Sequence, residues 1–325
     1  MRWLILGAGA IGSAVGGLLA ESGEEVWLLG RRWHLSEIAR RGLLIHGILG
    51  EHQVTSCRTA ENVGALPKIS WDAILVTVKS FDTEPAAQKL PPLITPSTKI
   101  LSLQNGLGNW EILCRYLPMG QVIGGRVIFG VELEPGAVTV TVWGGDILLG
   151  SLSPESSAAD LEPIAGRLRA AGLPTQATPR IREALWSKVI YNCCLNPLST
   201  LLEVPYGRLL ENGGTRRIMR EVVEEAYRVA AAEKLPLDPP TPASYTEDLF
   251  GRLIPMTAAH YPSMLQDIRR GRRTEIDALN GALVRLAETH RIELPVNRLL
   301  TDLIRARENF SSAALPCLDE GGRSR

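Results

Sequence analysis

The sequence predicts an α/β N-terminal domain followed by an all-α C-terminal domain, and three observations carry this prediction. A short apolar strand at residues 3–6 runs into the glycine-rich turn GAGAIG, and a helical pattern follows it. The later segment WDAILVTVKS contains an unbroken apolar run, which is typical of a parallel strand covered on both faces. Beyond residue 180 the patterns are helical, with almost no strand pattern. We therefore predict one domain at residues 1–179, a second at 180–312 and a disordered tail at 313–325.

The composition favours a small-molecule partner over nucleic acid or a membrane. The 325 residues are 45% hydrophobic, which is enough for two domains with a sizeable core. Because 35 basic residues balance 35 acidic ones, no net charge draws the chain to nucleic acid or an anionic membrane. We find no secretory signal pattern and no apolar run near the roughly 18 residues of a membrane span, so we expect a cytoplasmic protein. The five cysteines lack metal-ligand spacing, and we expect free thiols and no metal.

The glycine-rich turn has the G-x-G-x-x-G pattern between a strand and a helix, which is the position that this pattern has in dinucleotide-binding domains. Gly7 permits the tight turn, Gly9 lets a pyrophosphate approach the backbone, and Gly12 lets the helix pack close to the strand. The helix N-terminus then offers free N–H groups to the phosphates. A second strand follows at Glu25–Leu29, so the N-terminal domain is predicted to be of the Rossmann dinucleotide-binding type. Its cofactor contacts are predicted at Gly7, Ala8, Gly9, Ala10, Ile11 and Gly12.

The end of the second strand favours NADPH over NADH. An acidic residue there would accept hydrogen bonds from the adenosine ribose, but the chain instead has Gly30, Arg31 and Arg32. A guanidinium can bind a 2′-phosphate through paired, charge-assisted hydrogen bonds, whereas a carboxylate would repel it. Two solvated surface arginines are the alternative interpretation, and the choice between Arg31 and Arg32 stays open.

Two further segments deliver polar residues to the carboxyl edge of the predicted sheet. Lys79 follows the apolar strand of WDAILVTVKS, and Asn105 lies in the QNG turn after the next strand. Because open α/β sheets bind ligands along this edge, both residues are candidates for contacting cofactor or substrate. A plain surface lysine and an ordinary Asn-Gly turn are the alternatives.

The remaining elements are predicted from shorter patterns. Residues 121–150 are expected to form antiparallel strands appended to the parallel sheet, with a hairpin at Pro135 and Gly136. A helix at 158–171 and a strand at 174–177 would complete the first domain. The helices expected in the second domain are 181–196, 215–233, 241–259 and 274–290.

The first of these helices contains a polar stripe. Lys188, Asn192 and Asn196 are spaced i, i+4 and i+8 among apolar neighbours, so all three can face one small ligand from a cleft. Half-buried polar groups of this kind need partners. The alternative is a snorkelling lysine together with Asn196 as a helix cap before Pro197.

The stripe suits the reduction of a 2-oxo acid. A hydride from the nicotinamide would reach the carbonyl carbon, and the oxygen must then be stabilised and protonated. Lys188 can do both, because lysine is protonated at neutral pH. The asparagines would hold the hydroxyl and carboxylate oxygens of the substrate.

A second polar set lies in the segment HYPSMLQDIRRGRRTEIDALNG. Ser263 could bind a carboxylate, and Glu275 is expected at the start of the helix 274–290. Thr274 with Asp277 has the form of a helix N-cap, which gives Asp277 a structural explanation. His260 is a rival acid, although a lone histidine is more often structural.

The chain resembles the ketopantoate reductase (2-dehydropantoate 2-reductase) family from its N-terminus to about residue 308. The matching segments are GAGAIG, VTVKS, QNGLGN, WSKVIYNCCLNPLS and PSMLQDIRRGRRTEIDALNG. The resemblance implies that Lys188 is the catalytic acid and that Glu275 is a catalytic residue that holds a substrate or ribose hydroxyl. It further implies substrate contacts from Asn105, Asn192, Asn196 and Ser263, nicotinamide contacts from Lys79 and Asn105, and a 2′-phosphate contact from Arg31.

One departure from the family pattern concerns the substrate. Some members carry a further substrate-contacting asparagine where this chain has Tyr206 before Gly207. The leading hypothesis is NADPH-dependent reduction of 2-dehydropantoate to (R)-pantoate, a step toward pantothenate and coenzyme A. The alternatives are the same reaction on another branched 2-oxo acid and a non-catalytic NADPH-binding regulator. The oligomeric state stays open, with a homodimer as one option.

Overall fold

The computed structural model describes residues 1–153 and 156–312, so the predicted disordered tail lies outside the described residues. The chain divides into two compact units, Met1–Lys188 and Val189–Arg325. The division falls within the helix Ile181–Leu202, which contributes residues to each unit. This division does not test the domain boundary expected after residue 179, which stays a prediction.

The strands all lie in the first unit of the described chain and form two sheets. In chain order they are β1 Arg2–Leu6, β2 Glu25–Leu29, β3 Leu43–Gly47, β4 His52–Val54, β5 Arg58–Ala60, β6 Ala73–Val76, β7 Lys99–Ser102, β8 Val122–Arg126, β9 Phe129–Glu134, β10 Ala137–Trp143, β11 Ile147–Ser151 and β12 Thr175–Ala177.

The main sheet has the order β12-β11-β8-β7-β6-β1-β2-β5 within the described ranges. The strands from β5 to β8 in this order all run parallel, and β11 pairs antiparallel to β8. Since β1 lies between β2 and β6, the strand order reverses there, and this reversal opens a crevice beyond the carboxyl ends of the strands. Trp3, Leu4 and Ile5 in β1 are fully buried, as are all residues of β6, because both faces of the sheet are covered.

The helices of the first unit are α1 Ala10–Glu21, α2 Arg32–Arg41, α3 Thr83–Ala87, α4 Asn109–Tyr116, α5 Glu162–Ala170 and the start of α6 Ile181–Leu202. Helix α1 packs between the two sheets, which explains why its sequence is apolar on nearly every side. A Cβ at Gly16 would come within 2.8 Å of Ile5 and Leu28, and one at Gly17 within 2.8 Å of Ile45 and Leu43. The two glycines therefore allow close contact with a sheet on each side of the helix. The α/β fold with a parallel N-terminal sheet is confirmed.

The hairpin at Pro135 and Gly136 is confirmed, but its expected place in the main sheet was wrong. Ala137 pairs with Glu134 across the turn, and the smaller sheet has the order β4-β3-β10-β9 in the described chain. Val138 and Val140 of β10 are buried in the same core as α1. Alternating apolar residues predict a covered strand face, but they do not indicate which helix covers it.

The second unit contains helices throughout its described part. They are the end of α6, then α7 Gly213–Ala232, α8 Pro242–Asp248, α9 Ile254–Met256, α10 Ser263–Arg269, α11 Asn280–Thr289 and α12 Pro295–Ser312. The predicted helix 241–259 is divided by a π-helical turn at Leu249–Leu253. The predicted helix 274–290 begins only at Asn280, because a short 3₁₀ turn, Ile276–Ala278, precedes it. Helices α10 and α12 had not been predicted.

Helix α6 continues six residues beyond its predicted end, through Pro197 to Leu202. A proline has no N–H, so the carbonyl four residues earlier, that of Cys193, loses its intrahelical hydrogen bond. The side chain of Asn280 replaces it, with Nδ2 donating to Cys193 O at 3.1 Å. The alternative interpretation of Asn196 as a helix cap was therefore wrong.

Across residues 1–153 and 156–312, the helices are either too short or too polar to cross a bilayer. The same ranges contain no cluster of three or more His, Cys, Asp or Glu side chains that could hold a metal ion.

Candidate active site

The glycine-rich turn after β1 has three glycines in three different environments. Gly7 has a φ of 111°, and a Cβ there would lie 2.6 Å from Val78 N. At Gly12 a Cβ would lie 2.3 Å from Gly7 O, so only glycine lets α1 approach the turn this closely. At Gly9 the nearest atom would be Gly7 O at 4.0 Å, which leaves open space in front of the backbone. These environments fit a turn, a packing contact and a ligand approach, respectively.

The N-terminus of α1 has the properties of an anion site. Gly9 occupies the N-cap position, no side chain caps the helix, and its first turn contains no acidic residue. The N–H groups of Gly7 and Ala8 both donate to Leu29 O, so neither is directed at a ligand. The first-turn amides of a helix have no carbonyl partner four residues back, which leaves those of Ala10 and Ile11 for a phosphate. The turn therefore fits the pyrophosphate of a dinucleotide.

Arg31 lies next to this turn, at the end of β2. A Cβ at the preceding Gly30 would contact the Ala8 Cβ at 2.8 Å, so the two backbones are close together. The exposed Arg31 side chain has no hydrogen bond or ion pair within the described residues. Arg32 instead faces Glu61 at 3.8 Å. Of the two arginines, Arg31 is thus the one whose guanidinium can bind an anion without breaking an ion pair.

A polar network joins the segments that follow β6 and β7. Ser80, the neighbour of Lys79, donates through Oγ to Asn105 O at 3.0 Å, and Asn109 Nδ2 donates to the same carbonyl at 2.8 Å. Gln104 Nε2 donates to Val78 O at 2.9 Å, which ties the two segments together a second time. Buried networks of this kind fix the backbone of a site. The sequence had indicated Lys79 and Asn105 separately, but not the residues that hold them.

Lys188 is brought to the same edge of the sheet. Its Nζ donates to Asn105 Oδ1 at 2.6 Å, and the side chain is half-buried. The two residues are 83 positions apart and come together because α6 begins within the first unit. A lysine whose Nζ donates to an amide oxygen has a defined position. A direct hydrogen bond thus joins two of the predicted site residues, Lys188 and Asn105.

The other members of the stripe belong to the second unit. Asn192 is half-buried on α6, and Asn196, one turn later, is only 7% exposed. Asn196 Oδ1 accepts a 2.6 Å hydrogen bond from the hydroxyl of Tyr206. Tyr206 was noted in the sequence only as a departure from the family pattern, and periodicity gave no sign of this contact.

Ser263 and Glu275 also lie in the second unit. Ser263 is the exposed first residue of α10, and Glu275 is buried, at 8% exposure, just before the 3₁₀ turn. The predicted N-cap role of Asp277 was wrong, because its carboxylate pairs with Arg273 at 2.9 Å and Arg305 at 2.7 Å. Burial alone would raise the pKa of Asp277, but hydrogen bonds from these arginines lower it below its ordinary value.

Two other candidates for a chemical role, the cysteine pair Cys193 and Cys194 and the ring of His260, have structural explanations. Cys193 and Cys194 are fully buried, and burial raises the pKa of both thiols above the ordinary range. They therefore remain protonated and act as small apolar residues. The ring of His260 packs edge-on against Tyr206, with 5.3 Å between centroids, and its backbone carbonyl accepts from Tyr206 N.

The parallel sheet, the glycine turn and the edge that holds Lys188 define a Rossmann-type oxidoreductase. Comparison with known proteins narrows this class. The family model "Ketopantoate reductase PanE/ApbA" matches residues 3–154, and "Ketopantoate reductase PanE/ApbA C terminal" matches residues 180–308. The chain therefore belongs to the ketopantoate reductase family, and the resemblance seen in the motifs is confirmed.

Individual relatives agree with this assignment. A protein named 2-dehydropantoate 2-reductase from Aquifex aeolicus is 38% identical over 312 residues, which cover 96% of this chain and 98% of the relative. The crystal structure of a PanE/ApbA family ketopantoate reductase from Ralstonia eutropha JMP134 is 35% identical with a TM-score of 0.85, over 96% of this chain and 99% of that one. A D-mandelate dehydrogenase solved with NADH and anilino(oxo)acetate is 30% identical with a TM-score of 0.88, over the same shares of the two chains.

Proposed function

We propose that this chain catalyses the NADPH-dependent reduction of 2-dehydropantoate to (R)-pantoate, with Lys188 as the general acid. The observation that carries the proposal is the 2.6 Å hydrogen bond from Lys188 Nζ to Asn105 Oδ1 at the carboxyl edge of the sheet. This is the edge at which open α/β sheets bind their ligands. The name of the Aquifex aeolicus relative supports the choice of substrate.

Each residue of the proposed site has a separate role in the reaction. When bound, NADPH supplies a hydride to the carbonyl carbon of the substrate. Lys188 stabilises the negative charge that develops on the carbonyl oxygen and donates a proton to it. Asn105 holds the lysine through its amide oxygen and contacts nicotinamide and substrate, while Lys79 contacts the nicotinamide. Asn192, Asn196 and Ser263 bind the substrate, and Glu275 holds a hydroxyl of the substrate or ribose.

The choice of NADPH rests on Arg31. Its guanidinium has no partner within the described residues, and the backbone of the preceding Gly30 lies against Ala8 of the glycine turn, where the adenosine ribose of a dinucleotide would lie. The alternative of another branched or bulky 2-oxo acid is favoured by one observation: the D-mandelate dehydrogenase neighbour was solved with anilino(oxo)acetate, which carries an aromatic group.

Initial-rate measurements on the purified chain test the substrate proposal. NADPH oxidation is followed at 340 nm with 2-dehydropantoate, 3-methyl-2-oxobutanoate and phenylglyoxylate at matched concentrations. We expect the highest kcat/KM for 2-dehydropantoate. A higher value for either other acid would assign the chain to that substrate, and NADPH binding without turnover of any acid would support the non-catalytic regulator.

The Lys188→Ala variant tests the acid. We expect kcat to fall at least about a hundredfold, because both charge stabilisation and proton transfer are lost, while the Kd for NADPH stays within about twofold. The exposed Lys89→Ala variant serves as the control for loss of a lysine. Turnover near the wild-type rate would remove Lys188 from the acid role.

The Arg31→Ala variant tests the cofactor assignment. Loss of charge-assisted hydrogen bonds to a 2′-phosphate should weaken NADPH binding about tenfold to a hundredfold and leave NADH binding nearly unchanged. Arg40→Ala, in helix α2, which begins directly after Arg31, removes an arginine that is paired with Glu37 and is the matched control. Equal effects on the two cofactors would contradict the phosphate contact.

A further inference from the structure

The contact between Tyr206 and Asn196 is part of a closely packed cluster within the second unit. The Tyr206 side chain is only 3% exposed, and its ring meets Tyr191 and His260 edge-on at 6.0 Å and 5.3 Å between centroids. The Tyr206 hydroxyl donates to Asn196 Oδ1 at 2.6 Å. A ring held on two sides fixes where its hydroxyl points, so the contact is built into the fold.

The backbone beside Tyr206 is fixed as well. Tyr206 N donates to His260 O at 3.1 Å, and Gly207 N donates to Ala258 O at 2.9 Å. A Cβ at Gly207 would lie 2.9 Å from the Ala258 Cβ, so the glycine allows the two segments to meet. Burial raises the pKa of Tyr206 well above its usual range, which keeps the hydroxyl protonated and able to donate.

The contact determines which half of the Asn196 amide remains for a ligand. An amide offers an acceptor oxygen and an NH₂ group with two donors. Tyr206 occupies the oxygen, whereas Asn196 Nδ2 makes no hydrogen bond to any described residue. Without the Tyr206 hydroxyl the amide could rotate by 180° and present its oxygen instead. With the hydroxyl in place, Asn196 presents donors.

We propose that Tyr206 is a positioning residue that makes Asn196 a dedicated hydrogen-bond donor to the substrate carboxylate. The proposal rests on the proposed function, because it takes the ligand to be a 2-oxo acid. A carboxylate has acceptors only, so it matches a donor-only amide and strengthens the hydrogen bond by its charge. A distal hydroxyl, by contrast, can donate or accept and needs no fixed amide. Because every 2-oxo acid has the carboxylate, this contact would hold the substrate whether or not it carries the distal hydroxyl.

The Tyr206→Phe variant removes only the hydroxyl and keeps the ring. KM and kcat are measured with 2-dehydropantoate and with 3,3-dimethyl-2-oxobutanoate, which has the same carbon skeleton and no hydroxyl. We expect KM to rise about tenfold for both acids, the effect of losing about one oriented hydrogen bond, and kcat to change less than about twofold. The Kd for NADPH should stay at its wild-type value.

Two controls separate positioning from general destabilisation. Tyr227→Phe also removes one buried tyrosine hydroxyl, which donates to Pro239 O at 2.6 Å, and its KM should match the wild-type value. On an Asn196→Ala background, Tyr206→Phe should cause no further rise in KM, because Tyr206 acts through an amide that is no longer there.

The outcomes distinguish this inference from the proposed function. Equal KM increases for the two acids that vanish on the Asn196→Ala background support it. An unchanged KM in Tyr206→Phe, with normal wild-type turnover, overturns the positioning role alone. A larger penalty for 2-dehydropantoate than for the acid without the hydroxyl assigns Asn196 to the hydroxyl and overturns the carboxylate contact. A wild-type chain that neither reduces nor binds either acid, by calorimetry in the presence of NADP⁺, overturns both proposals.

Discussion

Helix α6, which contains the polar stripe, is stabilised by one buried side chain, and we predict how much stability is lost when this side chain is removed. Asn280 is fully buried, and its Nδ2 donates to Cys193 O at 3.1 Å and to Asn297 Oδ1 at 2.9 Å. The first acceptor is the carbonyl that Pro197 leaves without an intrahelical partner. In the Asn280→Ala variant both acceptors lose this donor.

The magnitude follows from these two contacts. A buried acceptor left unsatisfied costs about 1–3 kcal/mol, so two of them should lower the free energy of unfolding by about 3 kcal/mol. With a urea slope of about 2 kcal/mol/M, the midpoint of the affected transition should fall by about 1.5 M.

The two units can be followed separately. All seven tryptophans lie within the first unit, the last of them at Trp186, so tryptophan fluorescence reports on that unit. The second unit is helical in its described part, so ellipticity at 222 nm is weighted toward it. We expect the ellipticity transition of Asn280→Ala to move by the full amount.

A second substitution provides the decisive check. Pro197→Ala restores an N–H that can donate to Cys193 O, so on this background Asn280→Ala should cost about 1–2 kcal/mol less than in the wild type. Equal costs on the two backgrounds, or a cost below about 1 kcal/mol in the wild type, would refute the view that Asn280 compensates for the proline.

The glycine turn and a buried histidine give two further predictions. Gly12→Ala should destabilise the fold by about 1–3 kcal/mol, because its Cβ would lie 2.3 Å from Gly7 O, as measured by thermal unfolding. Gly9→Ala should instead leave the melting temperature unchanged, and it should weaken NADPH binding about tenfold in a fluorescence titration. The reason is that its Cβ enters the space that a pyrophosphate would approach. Loss of stability in both variants would contradict the assignment of Gly12 to packing and of Gly9 to ligand approach. His34 is buried, and burial lowers its pKa below 6.5 against the opposing effect of a hydrogen bond to the Glu134 carbonyl, so the unfolded chain binds more protons at mildly acidic pH. The free energy of unfolding should therefore decrease as the pH falls from 6.5 toward the lower pKa of folded His34. In urea titrations at pH 7.5, 6.5 and 5.5, the His34→Gln variant should show a smaller decrease than the wild type. Parallel pH profiles for the two proteins would contradict this role of His34.

The nucleotide-binding half was predictable because its signals are local. The order strand, G-x-G-x-x-G, helix, strand occurs within 30 residues, and Glu25–Leu29 was predicted at its observed bounds. Gly7 and Gly12 also have a steric requirement for glycine, such as the φ of 111° at Gly7. Long apolar runs likewise indicated buried parallel strands, because both faces of such strands must be covered.

Features set by contacts between distant segments could not be predicted. The hairpin strands β9 and β10 pair in the smaller sheet because α1 needs cover on its second side. Helix α6 passes Pro197 because Asn280, more than 80 residues later, supplies the missing donor. The start of α11 was misplaced because Asp277 pairs with two arginines instead of capping a helix. Local propensity decides none of these outcomes.

In the polar stripe of α6, tertiary contacts determine which atoms the regularly spaced polar side chains can present to a ligand. Spacing placed Lys188 and Asn196 on one side of the helix but left open which atoms they present. Within the first unit, Asn105 receives a hydrogen bond from Lys188 and holds the ammonium in place. Within the second, the hydroxyl of Tyr206 occupies the Asn196 oxygen and leaves only its N–H groups. The groups that Asn196 keeps are therefore donors, and a 2-oxo acid presents only acceptor oxygens at its carbonyl and carboxylate. The chemistry that each residue offers thus follows from its neighbours, and in the proposed function the donors of Asn196 suit an anionic oxo acid better than an amine or a cationic ligand.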